Sequence, residues 1–151
     1  MKRSSVVKGL LAGLIGGLAG TFAKNVVERI YPPRSARKED PTEVLVDKVS
    51  GSTLTNHQEE TAAEAIHWGF GAAAGAAYGG LVEYYPAASA RNGAAFGIAL
   101  MGLTHESSLP ALGLSAAPEE LSAHEQSSEA VSHVVYGVAT ETVRSLVRKL
   151  L

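Results

Sequence analysis

Four stretches of apolar and small residues alternate with segments that carry most of the charge and proline. Residues 9–23 contain no charge, and their helical pattern runs on to Ile30, predicting a helix over about 6–30. Residues 65–82 hold one side chain that titrates near neutral pH, His67, and predict a helix over about 61–85. Residues 92–104 are uncharged and predict a third helix over about 91–104. Residues 131–140 are apolar around His133 and continue amphipathically to Leu151. A bilayer core takes about 20 apolar helical residues. The second stretch meets that length, the first and third are marginal, and the fourth is amphipathic. The competing expectation is a soluble bundle rich in alanine and glycine.

The connections follow from their punctuation. Pro32-Pro33 stop the first helix, because proline disfavours helix at the residue before it. Arg34, Arg37 and Lys38 then read as solvated. Pro41 opens a short amphipathic helix over 42–49, with Val44, Leu45 and Val49 on one face, and Gly51-Ser52 end it. Such a piece fits a membrane surface. The link around Pro86 is short, so the second and third helices should be antiparallel neighbours. A longer loop over 107–127 carries Pro110, Gly113 and Pro118, and its apolar part, 109–117, is expected to dip back toward the bundle. Lys2 and Arg3 ahead of an apolar stretch resemble a secretion signal. The pattern running past Ala23 favours a retained helix.

Glycine changes the picture from generic helices to closely packed ones. Gly9, Gly13 and Gly17 recur every four residues, as do Gly71, Gly75 and Gly79, and Gly93 with Gly97. Each glycine costs a helix in water about 1 kcal/mol against alanine. In a bilayer, small residues at this spacing let two backbones approach closely. The expected fold class is therefore all-α, a four-helix transmembrane bundle with Gly-xxx-Gly packing.

A motif also occurs twice. Glu28 to Pro32 is Glu-x-x-x-Pro, and His67-Trp68-Gly69-Phe70-Gly71 opens the next helix. Glu106 to Pro110 repeats the first element, and His133-Val134-Val135-Tyr136-Gly137 repeats the second. The expectation is one membrane domain of two helix-pair repeats, about 6–85 and 91–151. Two helices per repeat imply parallel repeats about an axis along the membrane normal. Short glycine-faced helices bury little and leave further stripes uncovered, so a homo-oligomer is expected. Lys and Arg divide seven against six between the two sides, which leaves orientation open.

Composition sets bounds. The 151 residues carry a net charge of −2, which gives no basic character pointing to nucleic acid. The chain has no cysteine, excluding disulfides, thiolate metal sites and cysteine nucleophiles. No phosphate loop, nucleophile motif or dinucleotide fingerprint is present, so catalysis is not expected.

Candidate chemistry gathers at one end of the expected bundle. The first and third helices leave there with Glu28, His105 and Glu106, and the second and fourth enter with Glu64-His67 and Glu129-His133. Spacings of three and four residues place each Glu and His pair on one helix face. Ionisable groups inside a membrane are costly and usually face the bundle interior or a cavity. Three explanations compete. The cluster responds to or relays protons, since histidine titrates near pH 6.5. Or it binds a divalent metal, as in di-metal carboxylate bundles, although Glu129 and His133 are one residue too widely spaced for that pattern. Or these groups merely cap helices and sit in interfacial water. No cofactor other than a metal ion is indicated.

The segment Gly13-Leu14-Ile15-Gly16-Gly17, leading through Lys24 and Glu28 to Pro32-Pro33-Arg34, resembles the first span of the YagU family of bacterial inner-membrane proteins. His67, Val82-Glu83 before Pro86, Met101-Gly102-Leu103-Thr104, and Ser128-Glu129 ahead of His133 resemble the same family, in order along nearly the whole chain. The resemblance implies a multi-pass inner-membrane location and a link to survival in acid. It implies no defined biochemical activity.

Overall fold

A computed structural model describes residues 3–33, 40–51 and 53–151. Lys2, Arg34, Arg37, Lys38 and Ser52, which entered the expectations above, lie outside the described residues. The described chain is all-helical. Three long helices, α1 (Arg3–Ile30), α3 (Asn56–Tyr84) and α6 (Ala123–Leu150), carry the architecture. Between them lie α2 (Pro41–Ser50), α4 (Ala94–Leu103) and the single turn α5 (Leu109–Ala111).

Two helices begin earlier than their apolar pattern predicts, and for the same reason. Thr55 caps α3 by accepting from the Gln58 main-chain N–H, while the Gln58 side chain accepts from the Thr55 N–H. Ser122 and Glu125 exchange the same pair of bonds at the start of α6. These reciprocal caps satisfy donors that a helix start otherwise leaves without partners. They extend α3 to Asn56 and α6 to Ala123.

The third predicted helix is corrected most. Its first residues form a 3-10 segment, Pro86–Gly93, broken where Arg91 (φ 55°) and Asn92 (φ 57°) turn left-handed. What remains, α4, has ten residues. At 1.5 Å per residue that is about 15 Å, half the thickness of a bilayer core. One helix among the described residues, α1 over Ser5–Ile30, is both long and apolar enough to cross a membrane. The amphipathic α2 forms, and Gly51 in the left-handed region closes it. Its covered residues are Pro41 and Val46, whereas Val49 is exposed.

Helix α1 sits between α3 and α6 and runs antiparallel to both. On one side, Gly9, Gly13 and Gly17 interleave with Gly79, Gly75 and Gly71. A Cβ on any of the six would collide with the facing helix, in five of them with its main chain. On the other side, Gly16 and Gly20 receive the main chain and side chain of Thr140. Helix α4 packs on α6 the same way, with Gly93 against Gly137 and Gly97 against the His133 carbonyl. Two tyrosines bridge α3 and α6. Tyr78 stacks on Phe96 at 4.1 Å and donates to Glu141 Oε2 at 2.8 Å, and the Tyr136 hydroxyl donates to the Gly71 carbonyl at 2.7 Å.

The interior holds polar side chains beside an apolar core of Ala12, Val46, Ala63, Tyr78, Val82, Met101, Leu114 and Tyr136. Thr21, Lys24, Ser128, Glu129, Ser132, His133, Thr140, Glu141 and Arg144 are buried. Leu11, Ile15 and Phe22 of α1, Phe70 and Leu81 of α3, and Val131 and Leu146 of α6 face outward. Seven of the buried polar residues, Ser128, Glu129, Ser132, His133, Thr140, Glu141 and Arg144, lie on α6 at spacings of three, four and seven, so a polar stripe follows that helix through the interior.

Candidate functional site

A cavity of about 720 Å³ opens at the end where α1 and α4 finish and α3 and α6 begin. Pro41 to Glu43 and Leu45 of α2 line it, as do Leu109, Leu112 and Leu114 of the apolar turn. Its floor is Thr21, Gly71 and Tyr136. Two of these are fixed by the main chain: Thr21 donates to the Gly17 carbonyl at 2.9 Å, and Tyr136 to that of Gly71.

The seven predicted site residues share this end but not one centre. Glu28, Glu64, His67, His105 and His133 line the cavity. Glu28 pairs with Lys24 one turn earlier on α1. His67 Nε2 lies 2.9 Å from the Asn25 Oδ1. Glu64 accepts from the Trp68 indole at 2.6 Å on an exposed face of α3. Glu106 is exposed and does not line the cavity.

The other three converge. His105, Glu129 and His133 each offer a donor atom within 4.8 Å of the other two. Glu129 lies between the rings, with Oε1 3.6 Å from His105 Nδ1 and Oε2 3.6 Å from His133 Nδ1. The imidazoles meet edge to face with centroids 4.9 Å apart. Glu129 and His133 are almost fully covered, and His105 is partly so.

Local chemistry explains how each ring is held. His133 Nδ1 lies 2.8 Å from the Glu129 carbonyl oxygen, one turn back on α6. A carbonyl only accepts, so Nδ1 carries the proton and the neutral ring keeps its lone pair on Nε2. His105 sits in a π-helical turn, Thr104–Ser108, that widens the end of α4. The hydroxyls of Thr104, Ser107 and Ser108 donate to the carbonyls of Leu100, Gly102 and Leu103, satisfying acceptors that the wider turn displaces. Single π turns of this kind are frequent at functional sites.

The opposite end is built differently. Arg144 makes two bonds to Glu141, Nε to Oε2 at 2.6 Å and a terminal nitrogen to Oε1 at 2.8 Å, and Tyr78 joins the same carboxylate. One turn on, Arg148 Nε meets Glu83 Oε1 at 2.6 Å, and Ser5 of α1 donates to Glu83. The Lys8 ammonium reaches the Leu151 carbonyl.

The model of a family described as "Protein of unknown function (DUF1440)" matches residues 18–142. The chain belongs to this family. No curated protein and no solved structure matches. The DUF1440 match spans the cavity floor, its histidines and Glu141, and ends before Arg144 and Arg148. It also begins after Gly9, Gly13 and Gly17 on α1.

Sequence reasoning passed over several cavity residues. Thr21 and Asn25 lie inside helices and carry no spacing signal of their own, and Tyr136 stands out only as the aromatic residue of the repeated motif. Lys24 was legible only as a partner for Glu28. Glu141 and Arg144 are spaced i, i+3 on an amphipathic helix, and nothing local in the sequence indicates that both are buried.

Proposed function

We propose that the protein is a multi-pass membrane protein of the bacterial inner membrane whose interior provides a path or holding site for small cations, a transport or channel component without catalytic activity. The observation that carries this reading is the stripe of buried polar and ionisable side chains along α6 combined with bulky apolar side chains exposed on α1, α3 and α6. Intramembrane ionisable groups typically face the bundle interior and mark ion or substrate pathways. The small-residue seams between α1, α3 and α6 fit association in lipid, where packing rather than the hydrophobic effect joins helices. Helices α1, α3 and α6 have 28, 29 and 28 residues, each longer than a bilayer core requires. In this arrangement α4 penetrates partway, and the cavity is a vestibule that ends at Tyr136. The two-repeat description retains its glycine-packed pairs, α1 with α3 and α4 with α6, but the first helices of the two pairs differ greatly in length. The resemblance to the YagU family supports the inner-membrane location and associates the path with survival in acid. The uncovered apolar faces fit lipid or a second copy of the chain.

The absence of cysteine makes the test clean. Single cysteines at Ile15 and Phe22 should resist a membrane-impermeant maleimide in spheroplasts and inverted vesicles alike, while one at Glu64 reacts from one side. Labelling of all three from the same side without detergent would overturn the membrane reading. Proteoliposomes should pass protons or small cations faster than protein-free vesicles under an imposed potential. Equal leak from both would remove the transport reading and leave the membrane one standing.

A further inference from the structure

We propose that His105, Glu129 and His133 form a mononuclear site for a first-row divalent transition metal, with Zn²⁺ the leading occupant. The proposal concerns equilibrium binding and does not require that any ion crosses the bundle.

Two imidazoles and one carboxylate are a ligand set that zinc and non-haem iron sites use while leaving coordination positions open. Carboxylate-only or carbonyl-rich sets suit Mg²⁺ and Ca²⁺ instead. Two further observations point to a bound ion. Both histidines line the cavity, so a metal held by the three residues would have its open position toward a space of about 720 Å³. And His133 Nδ1 lies 2.8 Å from a main-chain carbonyl, the kind of outer bond that fixes the tautomer of a ligating histidine and leaves Nε2 as the nitrogen for a metal.

The triad also differs from the larger di-metal pattern in a definite way. Glu28 is paired with Lys24, and Glu64 is held by Trp68 on an exposed face. Neither joins the triad's donor atoms, so the site is for one ion. Donor atoms around a tetrahedral zinc at 2.0–2.1 Å lie about 3.3 Å apart. Here they lie within 4.8 Å, so the site must tighten by at most about 1.5 Å on binding. His105 is the ligand placed to move, since it sits in the π turn rather than in a long helix.

The experiment uses the full chain, purified in detergent, stripped with a chelator and titrated with Zn²⁺ and with Co²⁺. One equivalent should bind per chain, and Co²⁺ should develop the visible absorption of a low-coordinate nitrogen and oxygen site. Glu129→Gln and His133→Ala should each weaken binding by more than tenfold. His105→Asn should do the same, and its place in a partly covered turn keeps the bundle folded, as circular dichroism would verify. His67→Ala, in the same cavity but bonded to Asn25, should leave the affinity within twofold. Failure of the wild-type chain to bind either ion overturns the proposal. So does stoichiometric binding that the folded His105→Asn variant retains at full affinity.

Discussion

The two ends of the bundle hold similar side chains and organise them in opposite ways. At the end with both termini, Glu83, Glu141, Arg144 and Arg148 are closed into compact networks. Glu141 takes both forks of Arg144 and the Tyr78 hydroxyl, and Glu83 takes Arg148 and Ser5. At the other end, Glu and His surround a cavity, and three of them approach one another across a gap of ion size. A charge buried with full compensation holds helices in register. A charge set beside an accessible space is available to a ligand. The difference teaches that residue type alone does not separate structure from function in this chain, whereas the space around it does.

The sharpest test removes one member of the closed network. Glu141→Ala leaves the Arg144 guanidinium, itself 7% exposed, without its bidentate partner in the interior. Breaking a buried pair from one side costs about 3–5 kcal/mol. Thermal unfolding in detergent should therefore show the largest loss here, while Zn²⁺ affinity of the protein that remains folded is unchanged. A milder loss than that of His133→Ala would reverse the assignment of the two ends.

Acid should act on the closed end in a defined direction. Arg148 and Ser5 both bind the Glu83 carboxylate, which must be ionised to pair with the guanidinium. Protonation of the carboxylate as pH falls removes that pairing and the stability it contributes. The stability gap between wild type and Glu83→Gln should be constant at neutral pH, begin to shrink as pH falls into the carboxylate range, and vanish at lower pH. A gap that widens on acidification would show that Glu83 is not held by Arg148 in the folded state.

How much of this was legible beforehand depends on what each residue advertises. Periodicity located the long helices, because a uniform run such as residues 65–82 has one consistent interpretation. It placed their starts late, since Thr55, Gln58, Ser122 and Glu125 are polar and fall outside any apolar window. The helix expected over 91–104 lost its beginning to Arg91 and Asn92, whose left-handed backbone has no glycine to announce it. The duplicated motif directed attention to the end of the bundle where the cavity lies. It treated seven residues as equals, and only tertiary placement divides His105, Glu129 and His133 from Glu64 and Glu106. Spacing along one helix reports which residues share a face, and it is silent on what a neighbouring helix brings to that face.

The smallest predicted effects concern the two carboxylates that sequence grouped with the site and the fold leaves at its margin. Glu64 and Glu106 are both exposed, and surface substitutions away from special features typically change stability by less than about 0.5 kcal/mol. Glu64→Gln keeps an acceptor for the Trp68 indole, so it should change neither stability nor metal affinity. Glu64→Ala removes that acceptor. Trp68 is the only tryptophan in the chain, so its emission reports this one contact directly. A shift in emission with Glu64→Ala, no shift with Glu64→Gln, and unchanged Zn²⁺ binding in both would place Glu64 as a local partner of Trp68. If Glu64→Gln instead weakened Zn²⁺ binding as much as Glu129→Gln, the cavity end would hold one extended site rather than a triad with bystanders. The contrast between its selective centre and the fully closed opposite end would then have to be redrawn around a larger ligand set.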